Sequence, residues 1–122
     1  MNNNLKHELL NKFGKALIDS VRDRTIEESF RTLKGEIKDK ASTNVAKCLS
    51  DLTPIQSIAV KDTIIDSIDG ALNNFLWMLE QNEAFDLVAG ERGNIYSLKE
   101  VSDGLSVDYW NFVDDFSKFK RL

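Results

Sequence analysis

The chain predicts an all-α fold: one compact helical bundle of about five to six helices, with residues 85–97 set apart as a small β-hairpin or an irregular loop. Three observations point there. Apolar residues recur at helical spacing through most of the 122 residues. Capping signals stand in front of several of these stripes. A single proline and six glycines leave little room for extensive loops.

The longest stripe carries the prediction. Thr53, Pro54 and Gln56 read as an N-cap, a first-turn proline and a capping-box partner. Ile58, Ile65, Ile68, Leu72, Phe75, Leu76 and Leu79 then fall on one helical face, and Val60, Ile64, Ala71 and Met78 widen it. A helix from Thr53 to about Gln81 is expected, with Ile65, Ile68, Leu72, Phe75 and Leu79 buried. Lys61 points into that stripe, so either the helix bends near Lys61–Asp62 or the lysine snorkels. Asp62, Asp66, Asp69 and Asn73 form a polar row beside it.

The other elements follow in order. A first helix is expected over about Asn4 to Val21, with Leu5, Leu9, Phe13, Ala16, Leu17 and Val21 inward. Gly14 either weakens it by roughly 1 kcal/mol or permits a close helix contact. Thr25 to Glu28 reads as a capping box that starts a second helix at Ile26, with Phe30, Leu33 and Ile37 inward. Gly35 ends that helix or sits inside it. Ser42 or Thr43 is the expected cap of a third helix, with Val45, Ala46, Leu49 and Leu52 inward. Phe85–Val88 and Asn94–Ser97 flank a glycine-containing turn, which suits two strands or a loop. Ser97 to Glu100 is another capping box, for a short helix from Leu98 to about Asp103. Ser106 or Asp108 is expected to cap the last helix, where Tyr109, Phe112, Phe116 and Phe119 recur, with Trp110 and Val113 alongside.

Size and composition bound the function. The length suits a single domain, residues 1–122, able to bury a core without metal or disulfide. No run of about 18 apolar residues suggests a membrane span. The segment MNNNLKHELLNKFGK has no apolar signal-peptide centre, so a cytoplasmic location is expected. The lone Cys48 fits a reducing compartment and is expected to be a small buried hydrophobe.

Charge is placed unevenly. Residues 1–52 carry ten Lys/Arg against eight Asp/Glu, net +2, and residues 53–122 carry six against twelve, net −6. Such a C-terminal half repels nucleic acid and attracts basic surfaces. A solvated face that keeps the protein soluble is the plainer account of the same charge.

Chemical motifs are sparse. His7, the only histidine, lies on the polar side of the first helix without a nucleophile motif. Gly90 and Gly93 form neither a P-loop nor a dinucleotide fingerprint. No cofactor is expected. Glu27 and Glu28 on one helix and Asp66 and Asp69 on another could hold Mg²⁺ between facing helices. That arrangement resembles the all-α nucleotide pyrophosphohydrolases, whose glutamate pairs and E-x-x-D motif bind the metal. This chain departs from them: the second motif is D-S-I-D, and position 31 is arginine where another acid would stand.

Aromatic residues gather in the acidic half. Core packing explains them, but interfaces also favour Trp and Tyr anchors. The candidate partner-binding set is Asp103, Asp108, Tyr109, Trp110 and Asp114. The stretches ALNNFLWMLEQ and YSLKEVSDGLSVDYWNFVDDFSKF, over about the second half of the chain, resemble small bacterial immunity proteins that accompany polymorphic toxins. The resemblance implies a small, acidic, cytoplasmic, non-catalytic protein that binds a toxin domain. The expected function is therefore immunity-like binding of a basic protein partner. A Mg²⁺-dependent pyrophosphohydrolase-like enzyme and a structural homodimer joined through the last helix are the alternatives.

Overall fold

The computed structural model describes residues 3–119, and they form a mostly α-helical fold with one two-stranded hairpin. Helix α1 (Asn3–Leu17) runs through a π-helical turn (Ile18–Arg22) straight into α2 (Asp23–Leu33). The break expected before Ile26 is absent. The Thr25 hydroxyl does not cap a new helix; it donates back to the Val21 carbonyl at 2.5 Å within the continuous one.

The π turn explains which side chains are buried. Leu10, Gly14, Ile18, Arg22 and Ile26 are all buried and recur every four residues. In a uniform α-helix four such steps would rotate the stripe by about 160°. The wider π turn takes back roughly 90° of that rotation, so one face stays on the core. Val21, inside the π turn, is 43% exposed, and Ala16, in α1 before it, is exposed too, both contrary to expectation. Gly14 permits a close contact: a Cβ there would overlap the Phe112 ring.

Helix α2 ends at Gly35, whose φ of +77° suits glycine. Gly35 N–H donates to Thr32 O and Glu36 N–H to Arg31 O, which is a Schellman motif. Helix α3 (Lys40–Cys48) is capped by Asp39, not by Ser42 or Thr43. The Ser42 amide and hydroxyl donate to the Asp39 carboxylate at 2.9 and 2.8 Å, and the amide bond, then the hydroxyl, hold its pKa below the ordinary range. None of the α3 side chains is buried: Val45 is exposed, Ala46 is half-buried, and Cys48 is exposed rather than enclosed.

Helix α4 (Pro54–Gln81) begins with the expected capping box at Thr53 and Gln56 and runs unbroken. Lys61 snorkels, with its ammonium 5.5 Å from the centre of the Phe30 ring. Its buried residues are Asp69, Leu76 and Leu79, while Ile65, Ile68 and Leu72 are half-buried. Phe75 is 53% exposed, against expectation. The helix turns about 100° per residue, so Phe75 sits to one side of the Leu76 line that meets the core.

Strands β1 (Val88–Glu91) and β2 (Asn94–Ser97) pair antiparallel around Arg92-Gly93. Both turn residues have positive φ, as a two-residue type I′ turn requires. The first strand thus lies three residues later than Phe85–Val88. Helix α5 (Leu98–Val101) is capped by Ser97. Helix α6 (Leu105–Phe116) has Gly104 at its N-cap, and Glu80 of α4 accepts the Ser106 amide in place of a local cap. The core gathers Leu9, Leu10, Ile18, Leu76, Leu79, Leu98, Leu105, Tyr109, Phe112 and Val113. No helix among the described residues is long and apolar enough to cross a membrane.

Candidate functional site

Two clusters that include charged side chains stand as candidate sites among the described residues, and the first is closed. Arg22, which the π turn places on the core side, is fully enclosed. Its Nε donates to Asp69 Oδ1 at 2.6 Å and its Nη2 to Asp69 Oδ2 at 3.2 Å, a two-pronged pair between the α1–α2 junction and α4. Tyr109 of α6 donates its hydroxyl to the same Asp69 Oδ1 at 2.5 Å. On the other side, Arg22 Nη1 donates to Ser117 Oγ and to the Phe119 carbonyl, each at 2.7 Å, and to Asp23 Oδ1 at 3.0 Å. Asp23 also accepts from the Ser117 hydroxyl at 2.8 Å and the Lys118 amide at 2.7 Å.

This hub ties three helices and the C-terminal segment together. Among the described residues every buried side-chain polar atom has a partner. Burial pushes the Arg22 pKa down, but the Asp69 hydrogen bond and charge outweigh it and leave the pKa raised. Burial, then the Asp69 bond and charge, raise the Tyr109 phenol, so it stays neutral and donates. A network so fully satisfied has no open valence for a ligand. Its work is to fix the packing.

The second place is open. A cavity of about 350 Å³ lies between α1 and the α5–α6 segment. Asp103, Asp108 and Asp115 line it opposite His7 and Asn11, and among the described residues no Lys or Arg lines it. Asp103 and Asp115 are exposed, and Asp108 is half-buried. Asp108 accepts the Ser102 hydroxyl at 2.5 Å, and Ser102 Oγ accepts the Gly104 amide at 3.0 Å, so these bonds hold the α5–α6 turn in place. A larger cavity of about 580 Å³ adjoins it along β2, between Lys6 and Glu100. His7 and Val101 line both.

The expected partner-binding residues divide accordingly. Asp103 and Asp108 come together in the open cleft. Tyr109 is fully buried and belongs to the hub, so it offers no surface to a partner. On α6, Trp110 and Asp114 lie about 160° and 120° around the helix from Asp108 and face away from the cleft. Trp110 is at the edge of exposure and packs edge-on to Tyr109, with ring centres 5.1 Å apart. Asp115 completes the cleft instead. Its place seven residues after Asp108, two helical turns on, was the signal for it.

The alternative metal residues are not brought together. Glu27 and Glu28 are exposed, and Glu28 takes an ion pair from Arg24 at 3.1 Å. Asp66 is exposed, and both Asp69 oxygens are engaged in the hub. Among the described residues no three His, Cys, Asp or Glu side chains form a group suited to a metal. The chain matches no protein-family model, no curated protein and no solved structure.

Proposed function

We propose that this chain is a non-enzymatic protein-binding domain of the immunity kind, which occludes a basic protein partner with the acidic cleft between α1 and the α5–α6 segment. The observation that carries this reading is the grouping of Asp103, Asp108 and Asp115 around one cavity that no Lys or Arg among the described residues lines. Carboxylates set in a concave wall focus a negative field outward. A basic surface entering the cleft supplies counter-charge and gains association rate from the field. A toxin domain is the partner class that the sequence resemblance implies.

The alternatives draw on less. A homodimer through α6 would use aromatics of which Tyr109 and Phe112 are in the core. A Mg²⁺ hydrolase would need Asp69, which is held by Arg22 and Tyr109.

Anisotropy of a fluorescent oligolysine tests the reading at about 50 mM and about 500 mM salt. The double variant Asp103→Asn/Asp115→Asn should bind several-fold more weakly at low salt. Asp62→Asn/Asp66→Asn removes the same charge from α4 and should change binding by less than about twofold. Equal losses in the two variants would mean that net charge, not this cleft, attracts the probe.

A further inference from the structure

The larger cavity has an unusual wall: four of its lining residues, Asn94, Ile95, Tyr96 and Ser97, are the whole of β2. The β1–β2 sheet has only two strands, and the register fixes which backbone groups face its partner. In a two-residue hairpin the pair beside the turn exchanges both hydrogen bonds. Bonded pairs are therefore Glu91–Asn94 and Ala89–Tyr96, and the bond from Leu98 N–H to Leu87 O at 2.7 Å continues the alternation. Ile95 stands opposite Gly90 in a non-bonded pair. Its N–H and C=O point away from β1, toward the open edge. The residue is 72% exposed.

An open strand edge is a template for another strand, and folded proteins usually cover or blunt it. Here the edge borders a cavity and lies next to the acidic cleft, through the shared residues His7 and Val101. We infer that β2 is a docking edge, to which an extended, basic segment of the protein partner adds as a third strand while its cationic side chains reach Asp103 and Asp115. The inference rests on the proposed binding of a basic partner and specifies how that partner is held. Backbone bonds at Ile95 give the segment its register, and the cleft selects its charge. Lys6 lines the same cavity, with its ammonium over the Tyr96 ring, 5.8 Å from the centre.

The test uses the full chain, labelled for backbone amide NMR, and three capped octapeptides. One alternates valine and lysine, one alternates glycine and lysine, and one alternates valine and glutamate. The valine–lysine peptide should bind most tightly and protect the Ile95 amide from hydrogen exchange. Ile95→Pro removes the edge donor at a position where proline is tolerated, and should weaken that peptide by about 3- to 10-fold. Protection of the Ile95 amide in the wild-type chain gives a second readout, should the variant misfold. Equal binding of the two lysine peptides without Ile95 protection, lost in Asp103→Asn/Asp115→Asn, overturns strand addition and leaves the acidic cleft standing. Binding of neither lysine peptide overturns both. Equal binding of the glutamate peptide overturns the basic partner. Ile95 protection in the free chain that grows with protein concentration identifies a second copy as the occupant, and overturns the inference too.

Discussion

Asp23 and Asp69 differ from Asp103, Asp108 and Asp115 in what faces them. The first two sit at the junction of three helices, and every oxygen is met by Arg22, Tyr109, Ser117 or the Lys118 amide. The other three line an open cleft that no Lys or Arg among the described residues lines. Removing a charge from water costs several kcal/mol unless partners replace the water, so a buried acid is kept only where its partners are complete. Exposed acids in an open cleft, Asp103 and Asp115, keep their water and are free to exchange it for a partner. Asp108 beside them also holds the α5–α6 turn through Ser102. The same residue type thus fixes packing in one region and presents charge in the other.

The contrast predicts a graded series of losses. Asp69→Asn should cost the most, about 3–5 kcal/mol in urea unfolding, because it leaves the buried Arg22 with Asp23 alone as counter-charge and breaks its two-pronged pair. Ser117→Ala comes next, at about 1–3 kcal/mol, since Arg22 loses an acceptor and Asp23 a donor. Unfolding below about 0.5 kcal/mol would show that the C-terminal segment is not part of the closed region.

Tyr109 adds a test by pH. Its folded pKa lies above the ordinary value of 10.0, raised by burial and by Asp69. The stability it contributes is therefore complete below pH 10 and falls as pH rises past it, by up to about 1.4 kcal/mol per pH unit. Tyr109→Phe should cost about 1.5 kcal/mol at neutral pH and remove that part of the alkaline loss. An unchanged alkaline slope in the variant would place the phenol in water rather than in the hub.

Much of the helical framework was legible because local chemistry decides it. Thr53 and Gln56 cap α4 through contacts within four residues, and Ser97 does the same for α5. The failures came where distant residues decide. Thr25 and Glu28 have the spacing of a capping box, yet the helix runs through them, because the π turn delivers Arg22 to Asp69, 47 residues away. Asp69 stood in a row with Asp62 and Asp66, and nothing local separates the buried member from the exposed ones. The N-cap of α6 was missed for the same reason: its acceptor, Glu80, is on another helix. Of the binding candidates, Asp103 and Asp108 meet in the cleft. Tyr109 was lost to the core because aromatic spacing does not say which ring has a buried partner for its hydroxyl.

Matched unfolding curves of the wild type and Asp103→Asn/Asp115→Asn, at low and high salt, test most directly whether the cleft acids serve binding rather than folding. Acids gathered for a partner repel one another in its absence, and residues kept for function commonly cost stability. The double variant should be as stable as the wild type or more so, by up to about 0.5 kcal/mol at low salt, with the difference vanishing as salt screens it. A loss of more than about 1 kcal/mol, persisting at high salt, would make these carboxylates structural like Asp23 and Asp69 and would contradict the account.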